Sequence, residues 1–251
     1  MAESGRLSTL ANGLRVLERL VEGDRTLRDL ASNCGLPRQT TYRIAATLVA
    51  EGWADRDGSV YRASPRMWSI AAQSFDFDEL RATYSAVVRR LADEHGESVH
   101  LAIFDRDSVV YIDKADGSHP VGSYTTLGGR APAYCVATGK MLLAHAGRTV
   151  IESVLSAGLS QHTPHTLDES GLRLELAEIR ERGYSVNHGE WRLGVGGLAV
   201  PLWSPFNEVV AALGFSGPIE RILERREVLV MALEEAAGAE MRAERTRGVA
   251  R

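Results

Sequence analysis

Cysteine and lysine are nearly missing from this chain, with two of each in 251 residues. Cys34 and Cys135 lie far apart, match no metal-ligand spacing and are too few for a disulfide framework. A reducing, cytoplasmic setting is therefore expected. Lys114 and Lys140 stand among 29 basic residues that are otherwise arginine, a bias of genome base composition rather than of mechanism. No apolar run approaches the ~20 residues of a membrane span. The opening MAESGRLSTL has no apolar core of a secretory signal, so none is expected. Gly/Ser linkers, low-complexity tracts and internal repeats are also missing.

The usual marks of enzymes are missing too. His188 and Glu190 lie near Ser185 in GYSVNHGE, without a nucleophile-elbow pattern. LGGRAP and GVGG are glycine-rich, but lack the Lys-Ser/Thr of a phosphate loop and the spacing of a dinucleotide site. His162 and His165 have Pro164 between them and no Cys or carboxylate set nearby, so no metal is expected. No cofactor is expected either, and the chain is not expected to be an enzyme.

What is present fits soluble globular protein: hydrophobic residues make up 44% and charged residues 25%. The length suits one large domain or two ordinary ones. The net charge of −4 is unevenly spread. Residues 1–75 carry ten arginines against eight acidic residues, whereas the remainder carries 19 basic against 25 acidic. A mildly basic front on an acidic body fits a DNA-reading head. An acidic body of that size argues against a non-specific DNA packer.

Residues 7–23 place Leu10, Leu14, Leu17 and Val21, with Val16 and Leu20, at helical spacing between a Ser8 cap and Gly23. Thr26 precedes a short helix, LRDLASNCG, with Leu27, Leu30 and Ala31 on one face and Gly35 as its stop. A third helix, QTTYRIAATLVAEG, carries Ile44, Ala45, Leu48 and Val49. Two short helices joined by a tight glycine turn form a helix-turn-helix signature. WADRDGSVYRAS follows, with two short strands flanking Asp57-Gly58, a hairpin that makes the motif winged. Residues 65–96 return to helix. Pro65 starts it, Met67, Trp68, Ile70 and Ala71 give an apolar side, and Leu80, Tyr84, Val87, Val88 and Leu91 continue in register.

From residue 98 the pattern changes. SVHLAIF and SVVYIDKA alternate around Asp105–Asp107 as a hairpin, and VGSYTTL reads as another strand. CVATGKMLLAHA is a buried helix, and residues 168–183 form an amphipathic helix between Asp168 and Gly183. The strands YSVNH, VGGLAVPLW and EVVAALGFSG follow, then one long terminal helix from Ile219. This order predicts an α+β fold. A mainly α winged helix-turn-helix, residues 1–75, is joined by a linker helix at about 76–95 to an effector domain, residues 76–251, with a central antiparallel sheet.

On the head, a recognition helix must reach base edges while its other face stays packed. Arg38, Gln39, Thr40, Tyr42 and Arg43 avoid the apolar positions, and Gln39, Thr40 and Arg43 are the expected readers. Thr40 and Thr41 suit phosphate contacts or a thymine methyl. Thr26 and Arg28 at the second helix start are phosphate candidates. Arg56, Ser59 and Arg62 on the wing could touch backbone or minor groove. One reader helix is a small footprint, so a dimer on a pseudo-palindrome is expected.

The segments GLPRQTTYRIAATLVAEGW, DRDGSVYR, ESVHLAIFDRDSVVYIDK, CVATGK, ELAEIRERGYSVN, GVGGLAVPL and FSGPIERI, in that order, carry a resemblance. From about residue 7 to the C-terminus the chain resembles the IclR-type bacterial regulators. The resemblance implies a GAF-like effector domain, dimers through the N-terminal half, commonly tetramers through effector domains, and control of catabolic genes by small organic or aromatic acids. In short-acid sensors of that family, a carboxylate meets backbone N–H groups at the start of the small-residue helix. An acidic residue, a Cys and two Ser complete the set.

Carried over, the helix start falls on Ala137 and Thr138, the acidic position on Asn187, the Cys position on Gly197 and the Ser positions on Gly214 and Ser216. The two glycines imply lost polar anchors and a wider cup, and Asn187 can both donate and accept. Trp191 and Arg192 add an aromatic face and a cation, and Tyr111, Tyr124 and His100 are further candidates. Bland readings stand beside these. Trp191 could be a packing residue, His100 could face outward or bond a backbone group, and Cys135 could be an inert core thiol. The expected effector is an aromatic acid such as a hydroxybenzoate, with a short 2-oxo acid as the alternative.

Overall fold

The computed structural model describes residues 7–67, 69–70, 77–119, 125–204 and 206–248. It divides into two compact units, residues 1–78 and 79–251. Among the described residues no helix is long and apolar enough to cross a membrane.

In the first unit, α1 (Ser8–Val21), β1 (Arg25–Thr26), α2 (Leu27–Cys34), α3 (Arg38–Ala50), β2 (Ala54–Asp57) and β3 (Val60–Ala63) follow one another. The strands form a sheet in the order β1-β3-β2. Its core is Val16, Leu20, Leu30, Cys34, Ile44, Ala45, Ala54 and Tyr61, drawn from every element but β1. Thr26 caps α2 with a reciprocal Thr26–Asp29 capping box, and Gly35 ends it in the left-handed region at φ 62°.

The helix α1 departs from expectation. Leu7, not Ser8, precedes the helix, and no side chain caps it. Only Val16 and Leu20 enter the core, while Leu10, Leu14 and Val21 are exposed. The wing also differs in detail. Asp57 pairs with Val60, so the two turn residues are Gly58 and Ser59. The strand β1, unforeseen, pairs with β3 through Arg25↔Tyr61 and Thr26↔Val60.

The second unit runs α4 (Phe77–His95), β4 (Ser98–Asp105), β5 (Ser108–Ala115), β6 (Arg130–Pro132), a 3₁₀ turn (Ala133–Cys135), α5 (Ala137–His145), α6 (Arg148–Ser156) and α7 (Glu169–Arg182). It closes with β7 (Ser185–His188), β8 (Val195–Trp203), β9 (Val209–Pro218), α8 (Ile219–Glu224) and α9 (Arg226–Gly248). The six strands form one antiparallel sheet in the order β6-β5-β4-β9-β8-β7.

Side chains alternate across a sheet, and the two glycines of β8 show what each face meets. A Cβ on Gly197 would point at Ala137 of α5, and one on Gly196 at Ile219 of α8. The α5 face carries the larger core, where Met141, Leu143, Leu172, Leu176 and Ile179 pack on Ala102, Ala199 and Ala212. The central strands are covered on both faces and so are apolar almost throughout rather than alternating.

Two expectations change here, one helix is new, and part of one expected helix is not described. Residues 125–127 lie outside any strand, and 121–124 lie outside the described residues; the edge strand is Arg130–Pro132 instead. The helix α6 was not foreseen. The terminal helix is two, broken at Arg225 (φ −99°, ψ 12°). Within the span 65–96, Trp68 and residues 71–76 lie outside the described residues.

Candidate DNA interface and effector site

The helix α3 and the wing enclose an open groove lined by Thr26, Arg28, Arg38, Gln39, Tyr42, Arg56 and Ser59, with Leu27 and Tyr61. Seven of the eleven residues expected to meet DNA thus share one surface. Arg28, Arg38 and Arg43 are exposed and have no acidic partner among the described residues, so their charge is uncommitted. Thr40 and Arg43 are exposed on α3, and Tyr42 is half exposed. Arg56 is held by its own hairpin: Nε donates to Gly58 O at 2.8 Å, and the guanidinium stacks over the Tyr61 ring at 5.4 Å. Arg62 is shared between Asp24 at 3.6 Å and Asp57 at 3.8 Å, so a phosphate would have to displace those carboxylates.

Two candidates do not serve as expected. Thr41 is fully buried, and its hydroxyl donates to Pro37 O at 3.1 Å. It packs α3 onto the head and offers nothing to a phosphate or a thymine methyl. Its place three and four residues before Ile44 and Ala45 is the signal that sets it on the core face. The Thr26 hydroxyl is spent on the capping box, donating to Asp29 Oδ2 at 2.7 Å. What remains for a phosphate there is the free backbone N–H groups of the first turn of α2.

In the second unit a cavity of about 40 Å³ lies between the start of α5 and the sheet. Nine of the eleven residues expected at the effector site line it: His100, Tyr111, Ala137, Thr138, Asn187, Trp191, Arg192, Gly197 and Ser216. Tyr124 lies outside the described residues. Thr125, Val136 and Val195 complete much of the wall. The strand register explains the gathering. His100 pairs with Gly214, Ser98 with Ser216 and Asn187 with Gly197, which brings β4, β9, β8 and β7 side by side.

The electrostatics favour donors. The first backbone N–H to close a turn of α5 is that of Lys140, onto Val136 O, which leaves those of Ala137 and Thr138 without an intrahelical partner. Asn187 Oδ1 accepts from Gly189 N and Glu190 N, each at 3.0 Å. Its oxygen is therefore committed, and only the amide N–H groups remain for the cavity, contrary to a residue free to donate and accept. Arg192 is exposed at the mouth, 4.7 Å over the Trp191 ring. Among the described residues no carboxylate lines the cavity.

Burial, helped by Lys114, pushes the His100 imidazole down to about 3. It therefore faces a ligand as the neutral ring, with Nε2 bonded to Thr125 Oγ1. Its ring lies 4.9 Å from that of Tyr111, whose phenol burial pushes up to about 12. His100 is thus an inward-facing cavity residue, bonded to the Thr125 side chain rather than facing outward. Burial likewise pushes the Cys135 thiol up to about 12, as fits an inert core group.

Gly214 is a second correction. It does not line the cavity. A Cβ there would stand 2.4 Å from Leu198 O and 3.2 Å from Thr138 Cγ2. The glycine admits α5 to the sheet rather than widening the cup. Gly197 does line the cavity, and a Cβ there would meet Phe215 O at 3.1 Å.

Lys140, not among the expected site residues, is buried, with its ammonium 2.6 Å from Glu190 Oε1 and 3.2 Å from Glu175 Oε1. The signal was available, since a lone lysine in an apolar helix must find a buried counter-charge. His162 meets the Tyr134 hydroxyl at 3.2 Å instead of a metal-type partner. Among the described residues no group of three His, Cys, Asp or Glu could hold a metal ion.

A winged helix-turn-helix whose Arg28, Arg38 and Arg43 have no acidic partner among the described residues, carried on one chain with a donor-lined cup in an antiparallel α/β unit, is the make-up of a transcriptional regulator with an effector domain. Residues 72–240 match the C-terminal domain of the bacterial transcriptional regulator IclR, and residues 9–58 match the IclR helix-turn-helix domain. The chain belongs to the IclR family of transcriptional regulators. It is 31% identical over 236 residues to the transcriptional repressor IclR of Escherichia coli, covering 89% of this chain and 84% of that one. It is 28% identical to the Pca regulon regulatory protein of Pseudomonas putida, covering 86% and 76% of the two chains. Among solved structures, an IclR homologue from Microbacterium hydrocarbonoxydans complexed with 4-hydroxybenzoate superposes with a TM-score of 0.79 at 30% identity, covering 94% of this chain and all of that one.

Proposed function

We propose that this regulator binds promoter DNA as a dimer and responds to a benzoate-type aromatic acid. The observation that carries the effector class is the lining of the cup: free N–H groups at the start of α5, the Asn187 amide and the Arg192 cation, with no carboxylate among the described residues. That set favours an anionic head group, and Trp191, Tyr111, Val136 and Val195 supply walls for a ring. The 4-hydroxybenzoate complex of the Microbacterium homologue supports the same class. The carboxylate meets the N–H groups of Ala137 and Thr138, and the side chains of Trp191 and Arg192 turn outward to admit the ring.

A second reading, a two- or three-carbon 2-oxo acid, is favoured by the cavity of only about 40 Å³. Calorimetric titration with benzoate, 4-hydroxybenzoate, pyruvate and glyoxylate separates the two. Micromolar binding of the aromatic acids, at least tenfold tighter than the short ones, is expected. Binding of glyoxylate alone overturns the aromatic reading.

On DNA, Gln39, Thr40 and Arg43 read bases, while Arg28, Arg38, the α2 start and the wing hold phosphates. Gln39→Ala and Arg43→Ala should each lower affinity for the promoter site by about 1–3 kcal/mol and relax base choice at one position per half-site. Arg38→Ala should weaken all sequences alike and reduce the salt slope. Footprinting and titration across salt concentrations check both.

A further inference from the structure

Resting on the effector reading above, we propose that the buried Lys140–Glu190 pair is a positioning element, setting where Asn187, Trp191 and Arg192 stand around the cavity. Lys140 lies on α5, the helix whose start supplies the cavity N–H groups, and its side chain is wholly buried. Glu190 begins the turn that carries Trp191 and Arg192. Its carboxylate meets Lys140 Nζ at 2.6 Å, and its N–H donates to Asn187 Oδ1 at 3.0 Å. Its carbonyl accepts from Thr166 Oγ1 at 2.6 Å and shares the Thr163 hydroxyl, at 3.2 Å, with Gly189 O at 2.8 Å. Of the polar atoms of Glu190 only Oε2 has no partner.

Fold stability alone is a weak reason for a buried pair of this kind. Taking two charges out of water is costly, and a buried ion pair is often no better than apolar packing. The orphaned Oε2 adds to that cost. α5 and α7 are already joined through Met141, Leu143, Leu172, Leu176 and Ile179. What apolar packing cannot supply is a fixed length and direction. The pair ties the 189–192 turn to the helix that presents the cavity N–H groups, so both sides of the cup keep one spacing. The same turn orders Asn187, because Oδ1 is held by Gly189 and Glu190 and the amide donors are left toward the cavity.

The test uses the full chain with 4-hydroxybenzoate as the probe. Glu190→Ala removes the tie while Lys140 keeps Glu175 as its counter-charge, and Glu190→Gln keeps an acceptor within reach of Lys140. Acrylamide quenching of Trp191, isolated by subtracting the matching Trp191→Phe protein, reports the turn without any ligand. Glu190→Ala is expected to raise Trp191 quenching at least twofold and the acid Kd about 10- to 100-fold. Glu190→Gln should restore both to within about threefold. Unchanged Trp191 quenching in a folded Glu190→Ala protein overturns the proposal. If Glu190→Ala fails to melt cooperatively, Glu190→Asp, which draws the carboxylate back from Lys140, must shift quenching the same way or the proposal falls. If the wild type binds no acid, the effector reading fails, and the positioning role is decided by quenching alone.

Discussion

Leu10→Asp combined with Leu14→Asp is expected to yield a folded monomer that binds its promoter about 10²–10⁴-fold more weakly than the wild type. Leu7, Leu10, Leu14 and Val21 are 72%, 59%, 52% and 59% exposed, with Leu17 half-buried among them. Their spacing of three and four residues is a seven-residue repeat, the seam of a two-helix contact. Single exposed leucines are ordinary, but a continuous stripe along four turns of one helix marks a surface meant to be covered. A second copy of α1 would cover it and set two α3 helices on two half-sites, so one DNA molecule binds both heads at once. The substituted positions lie outside the head core of Val16, Leu20, Leu30 and Ile44, so the thermal midpoint of the head should hold. Sedimentation gives the mass and a promoter titration gives the affinity. A Leu10→Asp/Leu14→Asp dimer with wild-type affinity would refute the interface.

Gly214→Ser is expected to destabilise the effector unit by about 3 kcal/mol, the upper range for overpacking. For a unit of this size that is a fall of about 6–12 °C in its thermal midpoint. The new Cβ would stand 2.4 Å from Leu198 O, a backbone atom of the paired strand, and cannot be relieved by a side-chain rotation. Gly197→Cys is expected to cost less, because its tightest contact, 3.1 Å to Phe215 O, asks for a shift of only a few tenths of an ångström and the space beyond is cavity. Restoring the serine of short-acid sensors should therefore cost stability without bringing a hydroxyl to the ligand. Differential scanning calorimetry of both variants checks the contrast. Equal midpoints for Gly214→Ser and wild type would contradict it.

The elements with strong local chemistry were legible in the sequence. The helix-turn-helix announced itself through Thr26, Gly35 and the Gly58 turn, and the sheet through its apolar runs. The carry-over of Ala137, Thr138, Asn187, Gly197 and Ser216 met in one cavity because strand register brings them together. What failed had physical causes. Helical spacing shows the apolar positions of α1 but not what covers them, so it did not tell that Val16 and Leu20 are buried while Leu10, Leu14 and Val21 stay exposed. Thr41 was judged by residue type, although its spacing from Ile44 and Ala45 places it in the core. Gly214 was taken as space gained, which only the approach of α5 could correct. The break at Arg225 carries no proline or glycine, so the sequence held no sign of it.

The most direct measurement is a salt-resolved footprint of the purified protein on the DNA upstream of its own gene, with and without 4-hydroxybenzoate. The account predicts a protected pseudo-palindrome whose half-sites lie about one helical turn or a multiple of it apart. It also predicts affinity that falls steeply with salt and shifts when the acid is added. Binding no tighter than to random DNA, with Arg43 and Gln39 intact, would contradict it.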